Sequence, residues 1–375
     1  MKNAVLGTAV ALALGLPAIA YGQSSAEISE LKSEVQELNA KVAELEASEE
    51  KSSWAEKIKV SADLRYRVEY IDREGDSDKR YRHRGRARLN VVGKVNDNTE
   101  LGVQLRTAGP DPRSGNVTLG GDSASKELGV SRAYAKWQAT DAFAFTFGKM
   151  KQPWETNPLD YFYDSDLNPE GVVMDFGFGG PFYGHLHYFW IAERSSDDDT
   201  TVWGGEFGYA GDLFYASVLY QDYQEMEGRN PCYEGNCNGN TVDESGNLVY
   251  DYNMLQVRGG VKIAGFNIFG SWGQNGDAEE DTAYSFGAKY GKASDPGTWE
   301  VGAVWHDIEK DAIYGGVVDS DVGAGDTDFD GWVFQGAYAP AKNWKIGLTY
   351  IMSSVTKTTN ERDYDRIQFD LAWKM

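Results

Sequence analysis

The chain has 375 residues, a formal net charge of −22 at pH 7, 22 Tyr, 16 Phe, 11 Trp and 43 Gly, but only two Cys. So acidic a chain offers no broad basic surface for phosphate backbones, which argues against nucleic acid as a partner. No stretch has the ~20 continuous apolar residues of a spanning helix, which excludes a helical membrane protein. Abundant aromatics and glycines suit many short strands joined by tight turns.

Lys2, the apolar run from Ala4 to Leu16, Pro17 and the small-residue stretch Ala18 to Gly22 predict a secretory signal peptide over 1–22. Next, Ile28, Leu31, Val35, Leu38, Val42 and Leu45 recur at alternating spacings of three and four. This is the apolar seam of a short coiled coil within 23–53, with Lys41 and Glu46 placed to pair between chains. A solvated linker helix is the alternative for that segment.

From Lys57 the apolar period becomes two. In KIKVSADLRYRVEYI the residues Ile58, Val60, Ala62, Leu64, Tyr66, Val68 and Tyr70 interleave with charged and polar ones. The following segment RYRHRGRARLNV places Arg82, Arg84, Arg86 and Arg88 at every second position, a ladder on one face of a strand. Four stacked cations are expected only on a face turned to water, as in the wall of a water-filled barrel. The same parity adds Arg65 and Arg67 on the first strand, Arg106 on the third, Arg132 and Lys136 on the fourth and, because the final strand closes on the first, Arg366 and Lys374 on the last.

Sixteen such segments can be read between 57 and 375. Short connections, such as 95–98 and 210–212, alternate with long polar ones at 108–128, 150–170, 225–249 and 309–327. A sandwich has no reason to alternate in this way, whereas an outer-membrane barrel does. The expected fold is all-β: a transmembrane antiparallel barrel of about 16 strands over 57–375, preceded by a short N-terminal coiled-coil helix in the periplasm. Tyr81, Trp137, Trp299, Trp344 and Trp373, near strand ends, suit interfacial girdles.

The loop 150–170 carries Glu155, Asp160, Asp164, Asp166 and Glu170. His185 and His187 share the inner face without a nucleophile and base at readable spacing. Asp197, Asp198 and Asp199 read as a solvated loop tip, and Cys232 and Cys237 as a small disulfide in a secreted protein. The run from Asp326 to Gly331 begins like a calcium loop, but its twelfth position is Ala337 where a bidentate Glu is required. No metal or cofactor site is expected.

In the last strand, DYDRIQFDLAWKM, Ile367, Phe369, Leu371, Trp373 and Met375 alternate with polar residues. This segment resembles the final strand of bacterial outer-membrane porins, although Met375 replaces their usual terminal aromatic. LRYRVEYI, RHRGRARLNV and GKMKQPWETNPLDYFYDSDLNPEGV resemble the putative porin family of Gram-negative bacteria, so the likeness covers about 57–375. It implies a passive channel for small hydrophilic solutes, set as a homotrimer in the outer-membrane bilayer, with its third external loop folded inward. Loop 150–170 would then carry its acids into the pore opposite the basic wall, and the arginines would favour anions. The alternatives from other classes are a lipase-like barrel enzyme and a protein that tethers the envelope through its coiled coil.

Overall fold

The computed structural model describes residues 30, 32–44, 56–177 and 179–375. Two units separate at Lys57. In the first, 32–44 is helical, and Val35, Leu38 and Val42 are exposed along one seam. Lys41 bonds Glu37 of its own helix at 2.8 Å. Glu46, its expected partner, lies outside the described residues, as do the signal segment 1–22 and the seam positions Ile28, Leu31 and Leu45.

The second unit contains β1 (Ile58–Arg73), β2 (Arg80–Asn96), β3 (Thr99–Thr107), β4 (Val117–Thr118), β5 (Leu128–Gln138), β6 (Phe143–Lys149), β7 (Glu170–Gly177), β8 (Phe182–Ala192) and β9 (Thr200–Ala210). Beyond these lie β10 (Phe214–Gln224), β11 (Tyr252–Ile263), β12 (Phe266–Asn275), β13 (Thr282–Gly291), β14 (Trp299–Ile308), β15 (Phe329–Ala341), β16 (Trp344–Val355) and β17 (Arg362–Lys374). All pairings are antiparallel between neighbours, and β17 returns to β1 with Asp63 opposite Lys374 and Arg73 opposite Tyr364. Sixteen strands therefore close a barrel, which removes the sheet edges. The two-residue β4 instead lies beside Arg84 and Gly85 of β2.

Alternation sets the two faces. On β1, Leu64 is 51% exposed to the outside, while Arg67 and Glu69 are buried inward. One β-bulge matters for the inner face. Ser131 is the extra residue between the pairs Gln104–Arg132 and Leu105–Val130, and beyond it Lys136 stands opposite Glu100. At the short-turn end, stacked pairs such as Trp344 and Trp373, 6.0 Å apart, and Tyr209 and Phe214, 4.7 Å apart, form an aromatic girdle.

The lumen differs from the water-filled interior expected from the sequence. Segments 150–169, 225–251 and 309–328 turn inward from the long-loop end and pack together. Phe162, Tyr163, Leu167, Met226, Leu248, Ile313, Tyr314, Val318 and Val322 are all buried in one apolar cluster with wall residues Val173, Phe189 and Val304. Each such side chain contributes roughly 1.5–3 kcal/mol. These loops are thus part of the folded core.

Candidate functional site

The basic wall is built by register. Across β1 and β2, Asp63 faces Arg88, Arg65 faces Arg86, Arg67 faces Arg84 and Glu69 faces Arg82. Two rows pair opposite charges and two set arginine against arginine, an arrangement that destabilises a sheet unless other groups intervene. They do intervene. Arg67 donates to Asp370 across the closing seam and to Asp321 of the 309–328 loop, each at 2.7 Å. Arg65 donates to Asn116 at 2.7 Å, and Arg84 to Ser114 at 3.2 Å and the Asn116 carbonyl at 3.1 Å. The ladder is therefore held by carboxylate, amide and carbonyl partners, which a face simply turned to water does not supply. Arg82 bonds Glu69, which also accepts from Arg366 at 2.6 Å, and Arg88 bonds Asp63 at 2.8 Å.

The 150–169 loop meets this wall through one carboxylate. Asp166 lies 3.4 Å from both Arg86 and Arg88, accepts the Gly115 amide at 3.0 Å, and presents its carbonyl to Arg106 at 3.1 Å. Burial pushes its carboxyl up, but Arg86, the Gly115 amide and Arg88 outweigh burial and hold it below the usual carboxylate range. The loop also reaches the far wall: Asn157 donates to the Gly270 carbonyl and to Ser271 at 2.9 Å, and Tyr163 donates to Gln221 at 2.8 Å. It thus crosses the lumen.

The other four acids of this loop do not reach the ladder. Asp164 is buried, accepting the Asp166 amide at 2.8 Å and the Ser320 amide at 3.0 Å, so it joins this loop to the 309–328 loop. Asp160 accepts the amides of Phe162 at 3.0 Å and Asn157 at 3.3 Å. Glu155 is exposed, its amide donating to Glu206 at 3.1 Å, and Glu170 opens β7 paired to Lys149 at 2.6 Å. Among the basic residues, Arg132 bonds Asn168 at 2.5 Å, and Lys136 stands 3.7 Å from Asp175, apart from the ladder.

Where the two inward loops meet, three carboxyls differ. Burial and then Asp319 and Asp166 push Asp164 well above its ordinary value. Burial and Asp321 push Asp319 up to about 7. Burial would raise Asp321 too, but Arg366 and Arg67 outweigh it and hold it well below.

Several site residues escaped the sequence reading. Asp63, Glu69 and Asp370 share the parity of the arginines they pair with, so the alternation already contained them. Asp321 and Arg113 carried no such signal, since they lie on irregular loops. Arg113 donates to the carbonyls of Gly325 at 2.7 Å, Val318 at 3.2 Å and Gly315 at 3.3 Å, and to Asn238 at 2.5 Å. A cavity of about 390 Å³ lies on the long-loop side of the ladder, lined in part by Arg82, Arg84, Arg113, Arg366, Asp111 and Asp326.

His185 and His187 are buried, with His187 stacked 5.0 Å from Phe189. Cys232 and Cys237 form a disulfide. Among the described residues no group of three or more His, Cys, Asp or Glu could hold a metal ion.

Solved structures with this fold include a loop-deletion mutant of OmpT, an outer membrane protein of Vibrio cholerae, at 14% identity and TM-score 0.52, covering 85% of this chain and 100% of that one. Pseudomonas putida OprB, in a high-pH structure, matches at 10% identity and TM-score 0.59, covering 86% and 96%. A multiply substituted porin of Rh. blastica matches at 13% identity and TM-score 0.53, covering 85% and 100%. No curated protein matches the chain. The family model described as Putative porin matches residues 72–189 and 239–375, more than half of the length. By family and fold this is a bacterial outer-membrane channel, not an enzyme: the chain belongs to the putative porin family.

Proposed function

We propose that the barrel is a passive diffusion channel for small hydrophilic solutes and ions, with a preference for anions. One observation carries the sign. On the wall formed by β17, β1, β2 and β3, the eight guanidinium groups of Arg65, Arg67, Arg82, Arg84, Arg86, Arg88, Arg106 and Arg366 meet five ion-paired carboxylates, those of Asp63, Glu69, Asp166, Asp321 and Asp370. The surplus positive charge compensates an anion for lost hydration and repels a cation. Asp166 and Asp321, the inward-loop acids in that count, set a field across the pore.

In this reading 1–22 is a signal peptide removed on export, and 23–53 is a periplasmic helix that joins the chains of a homotrimer. The exposed seam of Val35, Leu38 and Val42 supports the association.

The test is a planar-bilayer measurement of conductance and reversal potential across a KCl gradient. Wild-type protein is expected to insert in steps of three and to favour chloride. Replacing Arg82, Arg84, Arg86 and Arg88 with Ser moves the preference toward cations. Because that set also strips Asp63 and Asp166 of their ion pairs, the milder pair Arg65→Gln and Arg84→Gln serves beside it. Both arginines bond mainly neutral groups, with Glu69 no nearer to Arg84 than 3.9 Å. An unchanged preference in both variants removes the ladder from the mechanism.

A further inference from the structure

At the opposite end of the lumen lies a second basic region. A cavity of about 870 Å³ is bounded by the short-turn ends of β11 to β17 and by Pro158 of the inward 150–169 loop. Lys262, Lys289, Lys292, Lys345 and Lys374 line it, against the single acid Glu300. Four of these lysines fall on the inner face by alternation: Lys262 follows buried Gln256 and Arg258 at even steps, Lys289 follows Ser285, Lys345 precedes Thr349, and Lys374 follows Arg366 and Gln368. Lys292 sits in the turn after β13.

Glu300 is shared between Lys345 at 2.9 Å and Lys289 at 3.2 Å. Among the described residues no carboxylate lies within ion-pair distance of Lys262, Lys292 or Lys374; Asp63, opposite Lys374 in the register, is engaged by Arg88 and Arg86. Lys262 has only the face of Tyr215, 5.3 Å from its ammonium. Five ammonium groups around one cavity with one carboxylate repel one another, and in a chain of net charge −22 this concentration is a local exception. A mobile anion relieves that repulsion, and a multivalent anion touching several lysines at once relieves it most.

We infer that this lysine-lined chamber is a binding subsite for small multivalent anions of the phosphate or dicarboxylate type, met by a solute at the short-turn end of the barrel and adjoining the arginine wall across the closing seam, where Lys374 stands opposite Asp63. The inference rests on the channel reading and deepens it by naming a solute class. β17 joins the two regions: Arg366 belongs to the arginine wall and Lys374 to the chamber. A dianion therefore has a positively charged wall at both stages, whereas chloride gains little from several partners at once.

The experiment uses the full chain in a planar bilayer carrying a chloride current at pH 8, with inorganic phosphate or succinate added to one side at a time. Block is expected at lower concentration from the side that faces the chamber. Lys262→Gln with Lys292→Gln and Lys374→Gln should raise the half-blocking concentration about tenfold while single-channel conductance stays within twofold. Glu300→Gln, which releases Lys289 and Lys345 and keeps an acceptor for the Ala293 amide, should lower it. Whichever anion blocks more strongly assigns the site to phosphate or to carboxylate. Normal conductance steps with no block by either anion, or block unaltered in the triple variant, overturn the inference alone. Absence of conductance steps overturns the channel reading and this inference with it.

Discussion

Asp166→Asn isolates the contribution of the inward loop to selectivity. The substitution keeps the side chain's shape and an acceptor for the Gly115 amide, and removes one negative charge 3.4 Å from both Arg86 and Arg88. At an effective dielectric of 20, each contact represents about 5 kcal/mol of Coulomb attraction before desolvation is counted. Most of that is offset by the cost of burying the charges, and Asp63 still serves Arg88 at 2.8 Å and Arg86 at 3.6 Å. The net loss to loop anchoring should be about 3 kcal/mol, the lower end for breaking a buried pair. A permeant ion passing about 4 Å away in water gains or loses ~1 kcal/mol from the missing charge, close to fivefold in permeability. Reversal potentials across a KCl gradient at pH 7 should therefore move toward chloride. The shift should shrink at 1 M salt, where the Debye length falls to about 3 Å. A rise in conductance with no change of preference at any salt concentration would mean that Asp166 only pins the loop. A shift toward potassium would refute the electrostatic reasoning altogether.

Asp319, pushed up to about 7 by burial and Asp321, favours the folded loop most when protonated; that contribution is full below the ordinary carboxylate value near 4 and is lost as pH rises through 7. Amides of 309–328 should exchange faster at pH 8 than at pH 6 beyond the intrinsic base effect, and Asp319→Asn should abolish the excess; an equal excess in the variant would assign it to another group. Removing the disulfide with Cys232→Ser and Cys237→Ser should cost about 2 kcal/mol locally. Hydrogen exchange over 236–240 should accelerate, since Asn238 would lose its fixed place against Arg113, and unchanged protection there would show that the loop holds itself. Gly102→Ala places a Cβ about 2.2 Å from the Tyr134 ring, which spans the β3–β5 pair. The expected cost is ~1–3 kcal/mol, read as a lower temperature for converting the folded to the unfolded gel band, with Tyr134→Leu restoring it.

The barrel was legible because its signal is local and repeated. Each wall residue of LRYRVEYI or RHRGRARLNV reports its face by parity, and the alternating connection lengths independently imply the same architecture. Parity also located Arg65, Arg67, the ladder, Arg366 and Lys374, and put Glu69 and Asp370 on the same face without pairing them; Lys289 and Lys345 would have followed had it been applied to their strands. Loop conformation was not legible. Segment 309–327 reads as polar, yet Ala312, Ile313, Tyr314, Val317, Val318 and Val322 are buried, because its apolar residues bury themselves against other loops rather than against a strand face. No period marks such packing. For the same reason one acid of the 150–170 set, Asp166, reaches the arginines while Glu155, Asp160 and Glu170 meet other partners.

Arg113 binds carbonyls of the 309–328 loop and the side chain of Asn238 in the 225–251 loop, while itself belonging to the loop between β3 and β5. Three surface segments that descent could otherwise lengthen or shorten one at a time are tied to a single side chain. Insertions in any of them must preserve that knot, so natural variation should concentrate in connections that do not touch Arg113. A designer grafting a foreign epitope onto this barrel would choose a connection outside the knot for the same reason.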